Sequence, residues 1–218
     1  MWMAELLILS ATMFSFVFGV SLFFKRGKPL FLQSITMAMA CHSLGTAYHL
    51  CMMLTNGSVF DGFTPAYLGR IGFFLFFIAA SYGQMDRIVD DGSPGLRPVR
   101  WIALIAPLCA ALLYLPNGWF IDLTTATRIS VLLVWIPALV SVYFNFKHFL
   151  IPDQDFGFVK AIRPYNVLAV GLGFADLLYL TARNHLQNGF TLTASVIFSA
   201  LAVAIMFVAK KGAEKWMI

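Results

Sequence analysis

Cys41-His-Ser-Leu-Gly-Thr-Ala-Tyr-His-Leu-Cys51 sets two histidines and two cysteines within eleven residues. Taken as a loop it suggests a bound metal, and taken as a helix it is part of a membrane span, so its reading decides the fold. On a helix His42 and His49, seven positions apart, share a face but lie about 10 Å apart along the axis, too far for one ion. Helical chelation uses histidines four apart, as in His-x-x-x-His zinc sites. Cys41 and Cys51 are ten apart, about 15 Å in one helix, beyond the reach of a disulfide. The expectation is therefore a helix with no metal and no cofactor, its cysteines serving as small apolar residues.

The surroundings support the helix. Of 218 residues 60% are hydrophobic and only 11% charged, with a mean hydropathy of +0.82. Soluble domains run near roughly 45–50% apolar and 25% charged. A hydrocarbon core about 30 Å thick needs helices of about 20 apolar residues. Runs of that kind occur at about 4–24, 30–54, 66–86, 101–116, 128–149, 165–183 and 190–209. The predicted fold class is thus all-α: one polytopic transmembrane domain over residues 1–218, with seven helices. Pro107 and Pro137 are expected to kink or tilt the fourth and fifth spans. Turn residues at 55–58, 90–95 and 115–118 separate neighbouring spans.

Charge gives an orientation. Twelve Lys and Arg residues, Lys25, Arg26 and Lys28 among them, fall in alternate loops on one side, against Arg70, Arg128 and Arg183 on the other. Basic residues near span ends stay cytoplasmic, which predicts an outer N-terminus and a cytoplasmic C-terminus in a plasma or inner membrane. The formal net charge of +5 is then a topology signal, and nucleic acid is not expected as a partner. Trp101, Trp119 and Trp216 fall near the predicted interfaces. Glu5 and Asp122 read as solvated outer ends, and the run Phe73–Phe77 as bulk facing lipid. Asp86-Arg87 and Asp90-Asp91 read as a solvated cap pairing among themselves.

Inside the second span, Ile35, Ala38, Met39, His42, Gly45, Thr46, His49 and Met53 form one stripe of small and hydrogen-bonding side chains, the face that packs inward. Asp176 lies mid-span in the sixth helix, where a carboxylate needs a partner, a proton or water. Counted from Lys28-Pro29 and Arg163-Pro164, His42 and Asp176 sit thirteen and twelve residues into their spans. Their depths therefore agree to within about 2 Å, and the two meet if the helices adjoin. With Thr46, His49, Tyr82, Tyr179, Ser195 and Ser199 they make up the predicted ligand-binding set. His49, near the outer interface, reads as wet, so its loss is expected to be nearly silent.

No catalytic signature is visible. The chain lacks a mid-span lysine in its last helix, as a retinal protein requires, an Asn-Pro pair there, as in G-protein-coupled receptors, and any Pro-Gln pair. The starts at Lys28-Pro29 and Arg163-Pro164 suggest two related three-helix halves joined by one helix, a 3+1+3 plan. The leading expectation is a small transporter or carrier holding a small molecule in a polar pocket of the bundle. A sensor or receptor acting on a separate cytoplasmic partner is second. Third is a membrane-embedded hydrolase, for which His42 and Asp176 have no nucleophile at hand. Besides the bilayer and the small molecule, the expected partner is a cytoplasmic protein or a second copy of the chain.

Overall fold

The computed structural model describes residues 2–23, 29–56, 62–117, 123–152, 157–184 and 188–216. Lys25, Arg26, Lys28, Trp119, Asp122 and the 57–58 part of the first predicted turn lie outside these residues. So do the side chains of Arg87 and Trp216.

Among the described residues the chain is all helix. Helix α1 spans Trp2–Phe23, α2 Leu30–Asn56 and α3 Pro65–Ile78. A π-helical stretch, Ala79–Asp86, continues α3 into the single turn α4, Arg87–Val89. The fourth run is broken into α5, Arg97–Ala103, and α6, Ile105–Leu112. Then come α7, Thr125–Leu150, α8, Phe158–Asn184, and α9, Asn188–Trp216. Six of these seven helical runs are long and apolar enough to cross a membrane. The exception, α2, has 27 residues but spends its apolar length on Gln33, Thr36, His42, Ser43, Thr46 and His49.

The break at Leu104 has a local cause. Pro107 has no N–H to offer the Ala103 carbonyl, and the backbone tightens to an i→i−3 bond from Leu104 N to Trp101 O, 3.1 Å. Pro137 is carried within an unbroken α7. Helix α8 begins earlier than expected, at Phe158, so Pro164 lies inside it instead of opening it.

The helices close into a ring in the order α1, α2, α3, α7, α8, α9 and back to α1. The first three and last three long helices thus form two halves that meet along two seams, α3 with α7 and α9 with α1. The fourth run stands outside the ring and packs on α7, with Trp135 Nε1 donating to Ala110 O at 3.3 Å. Its lipid-type side chains point outward: Trp101 is 72% and Leu108 64% exposed.

Small residues set the closest approach. Helices α2 and α3 cross at Gly45 and Gly69, where a Cβ on Gly69 would stand 2.6 Å from Gly45 Cα and from the Cys41 carbonyl oxygen. That crossing turns the predicted stripe inward: Ile35, Ala38, Met39, His42, Gly45, Thr46 and His49 are all buried, and Met53 is half-buried. The Phe73–Phe77 run corrects the sequence reading. Phe73, Phe74 and Phe77 are buried and only Leu75 is well exposed, because α3 sits between α2 and α7 and buries most of its circumference.

Candidate functional site

The centre of the ring holds a group of buried charges arranged as two similar rungs. In the first, Asp176 of α8 accepts from His42 Nε2 of α2 and from Arg70 Nε of α3, each at 3.2 Å. Both donors meet the same oxygen, Oδ1. A carboxylate only accepts, so His42 donates from Nε2, and its other nitrogen, Nδ1, is left to accept from Thr46 Oγ1 at 3.1 Å. The His42 ring stacks on Phe198 of α9 with 4.7 Å between centroids and takes the edge of Phe73 at 5.0 Å. Aromatic walls thus fix the imidazole on the sides that its hydrogen bonds leave free.

In the second rung Glu5 of α1 lies 3.4 Å from His49 Nε2 of α2 and 3.5 Å from Arg183 Nη1 of α8. Arg183 Nη2 also donates to the Tyr67 hydroxyl of α3 at 3.4 Å. The rungs share two uprights. His42 and His49 are seven apart on α2, and Asp176 and Arg183 are seven apart on α8, which sets the rungs about 10 Å apart. Thr46 and Tyr179 stand between them on those same helices, and the Arg70 guanidinium lies 5.5 Å over the Tyr179 ring. Each rung contains one carboxylate, one guanidinium and one imidazole, and is neutral overall when its imidazole is neutral.

All of this is buried: Glu5, Asp176 and Tyr179 are 0% exposed and His49 only 7%. Yet some of the polar atoms make no hydrogen bond to protein. Asp176 Oδ2, Arg70 Nη2 and Arg183 Nε make no hydrogen bond, while Glu5, His49 Nε2 and Arg183 Nη1 meet as ion pairs at 3.4 and 3.5 Å with the Tyr179 hydroxyl beside Glu5. Buried polar groups are almost always satisfied, by protein or by ordered solvent.

The predicted set divides accordingly. His42, Thr46, His49, Asp176 and Tyr179 come together here. Tyr82 does not, being 56% exposed and packed on Phe144 at 5.0 Å. Ser195 is buried but spends its hydroxyl on the Leu192 carbonyl within α9, at 2.7 Å. Ser199, half-buried, adjoins Phe198 and keeps an unpartnered hydroxyl. Two expectations are corrected. Glu5 is no solvated end, since α1, α2 and α8 enclose it, and His49 is held against that carboxylate. Sequence reasoning missed Glu5, Arg70 and Arg183 as members of the site.

A second charge cluster joins α3 and its continuation to α7 and α5. Asp86 accepts from Lys147 Nζ and from His148 Nε2, the latter at 2.8 Å. Asp90 accepts from Lys147 at 3.1 Å and from Arg100 Nε at 2.9 Å. These acids were expected to pair among themselves, and instead they tie three helical runs together. Arg100 above all, with Lys147 adding, holds the Asp90 carboxyl well below the usual range. Burial pushes Asp86 up, but the hydrogen bonds from His148 and Lys147 outweigh it and leave that carboxyl lowered as well.

Compared with protein-family models, with curated proteins and with solved structures, the chain matches none.

Proposed function

We propose that this chain is a small transporter or carrier of seven spans that binds a small polar solute between the two rungs. Residues 1–218 act as one domain, with the N-terminus outside and the C-terminus in the cytoplasm of a plasma or inner membrane. The observation that carries the reading is the set of buried polar atoms without a hydrogen bond at the rungs, Asp176 Oδ2, Arg70 Nη2 and Arg183 Nε. A purely structural clasp gains nothing from leaving such atoms unsatisfied, each costing about 1–3 kcal/mol. The location fits as well, because transporters place solute sites where two halves meet. The rungs draw on α1, α2 and α3 from one half and α8 from the other, and the 3+1+3 plan supplies those halves. For hydrolysis the Thr46 hydroxyl on His42 Nδ1, at 3.1 Å, is the one hydroxyl placed as a nucleophile would be, and the Phe73 and Phe198 rings flank that imidazole.

The test is a thermal-shift screen of the purified protein against a panel of small polar solutes, followed by counterflow of any binder in proteoliposomes. A carrier binds and exchanges the solute, and loses both on Tyr179→Phe, which removes the buried hydroxyl beside Glu5 and keeps the ring beside Arg70. A solute that binds but never crosses converts the reading to the sensor or receptor. A panel without binders, together with unchanged stability in Tyr179→Phe, overturns the pocket.

A further inference from the structure

Helices α8 and α9 enclose a cavity that the rungs do not use. Its volume is about 360 Å³, within the range of about 300–1,000 Å³ typical of ligand sites. Gly212 of α9 is buried in its wall, with the Ala161 carbonyl oxygen of α8 only 3.5 Å from the place a Cβ would take. Pro164 and Val208 supply hydrocarbon, and Lys160, Lys211 and Glu214, all exposed, supply charge. Lys210 stands 3.9 Å from Glu214 and offsets it, whereas Lys160 and Lys211 meet no carboxylate among the described residues. The two helices set the depth of this cavity. Their spans, Val159–Asn184 and Gly189–Glu214, have 26 residues each, about 39 Å of helix. That exceeds a hydrocarbon core about 30 Å thick, so the first turn of α8 and the last of α9 stand at headgroup level. Toward mid-span the seam stays apolar: Val167, Leu168 and Gly171 follow Pro164 on one face of α8, and Ala204 and Leu201 follow Val208 on α9. All five are at least partly exposed, and Leu201 lies 3.5 Å from the Cβ position of Gly171, so the two faces form one open furrow.

We propose that this cavity seats an anionic phospholipid, with its phosphate between Lys160 and Lys211 and an acyl chain along the furrow. Charge selects the class of lipid. Two ammonium groups attract a headgroup of net negative charge, whereas a choline headgroup would add a third cation beside them. No aromatic ring among the described residues lines the cavity to hold such a cation. Basic pockets between helices at the membrane face are a recurrent form of headgroup site. A free phosphate would satisfy the lysines but leave Pro164, Val208 and the furrow without an occupant. The site needs only that α8 and α9 cross a bilayer, and it stands whatever the rungs bind.

The experiment is native mass spectrometry of the full-length protein released from detergent micelles, with phosphatidylglycerol or phosphatidylcholine of the same chain length added at equal concentration. A single phosphatidylglycerol per chain should stay bound, and phosphatidylcholine should not. Lys160→Gln and Lys211→Gln, both at exposed positions, should each weaken retention about fivefold, the worth of a lysine beside anionic lipid. Val208→Trp, which fills the apolar wall and keeps both lysines, should abolish it. Arg97→Gln removes an exposed cation from α5, which packs on α7, and should leave retention unchanged. Equal retention of the two lipids overturns the proposal. So does a loss in Arg97→Gln that matches the loss in Lys160→Gln, because the attraction would then belong to the whole surface. Displacement of phosphatidylglycerol by millimolar inorganic phosphate gives the lysines to a soluble anion and overturns the lipid, and full retention in Val208→Trp overturns the apolar seat. Should Val208→Trp fail to fold, the comparison of lipids and the lysine variants decide alone.

Discussion

Asp176→Asn isolates the charge in the first rung while keeping its shape. The amide oxygen can still accept from Arg70 Nε and His42 Nε2, each 3.2 Å away in the native protein. What disappears is the negative charge opposite a guanidinium that is only 1% exposed. Leaving one member of a buried pair uncompensated costs about 3–5 kcal/mol. Arg70→Gln alone should cost less, about 1–3 kcal/mol, because Asp176 keeps its bond to His42 and can neutralise itself by taking a proton. In Asp176→Asn with Arg70→Gln the orphan charge is gone and two amides face each other, so the double variant should lie within about 2 kcal/mol of the native protein. The singles and the double then imply a coupling of about 2–3 kcal/mol or more, at the upper end of what contacting residues show. Unfolding of the purified protein in mixed micelles, followed by tryptophan fluorescence, measures all four corners of the cycle. Additive losses would refute the rung, since charges that do not meet cannot rescue one another.

Three further outcomes are expected. Gly69→Ala should lower stability by about 1–3 kcal/mol, because its Cβ would meet backbone atoms of α2 at 2.6 Å that no side-chain rotation relieves; Gly83→Ala, with nothing within 4 Å of its Cβ, should be silent, and equal melting temperatures would remove the close crossing. The carboxyls of Asp86 and Asp90 are lowered in the folded chain, so the unfolded chain binds more protons in acid; their contribution is complete above an unfolded pKa of about 4 and is lost as pH falls through the lower folded values. Melting temperature should therefore drop below about pH 4, and Arg100→Gln should flatten that drop, while an unchanged profile would show that Arg100 does not hold Asp90. In a cysteine-free background, a cysteine at exposed Thr125 should react with an impermeant maleimide added to intact cells and one at exposed Asp91 should not; the reverse result would invert the proposed orientation. Asn117 is unsuitable for such labelling because it is buried against Thr181 and Asn184.

Much of this architecture was legible in the residue order because lipid imposes so regular a pattern. Every predicted span overlaps a helical run, and the inward stripe on α2 followed from spacing alone. Counting residues from two prolines even paired His42 with Asp176, although the second proline lies inside its helix and does not open it, so the depths match while the assumed helix start does not. Glu5, Arg70 and Arg183 escaped for a common reason. Each lies within about five residues of a helix end, where a charge ordinarily reaches water and a sequence offers no sign that it does not. Only the closure of the ring, with α1 against both α2 and α9, shows that Glu5 has no route to solvent. Asp86 was likewise assigned to its neighbours in sequence, because its true partners are about sixty residues away on α7. Tyr82 and Ser195 illustrate the converse error: a polar side chain on a span can face outward or satisfy itself on its own backbone.

The π-helical stretch from Ala79 to Asp86 changes the gearing of the whole third helical run. Arg70 and Asp86 are sixteen residues apart, and on an unbroken α-helix they would point about 160° away from each other, nearly back to back. Hydrogen bonds reaching one residue further, as π-helices use, turn the chain more slowly through these eight residues and swing Asp86 round to Lys147 and His148. The two charge clusters at opposite ends of this run are therefore phased by its winding and not by its position. Rewinding that stretch to ordinary α geometry would rotate Asp86 off its partners while Arg70 stayed on Asp176.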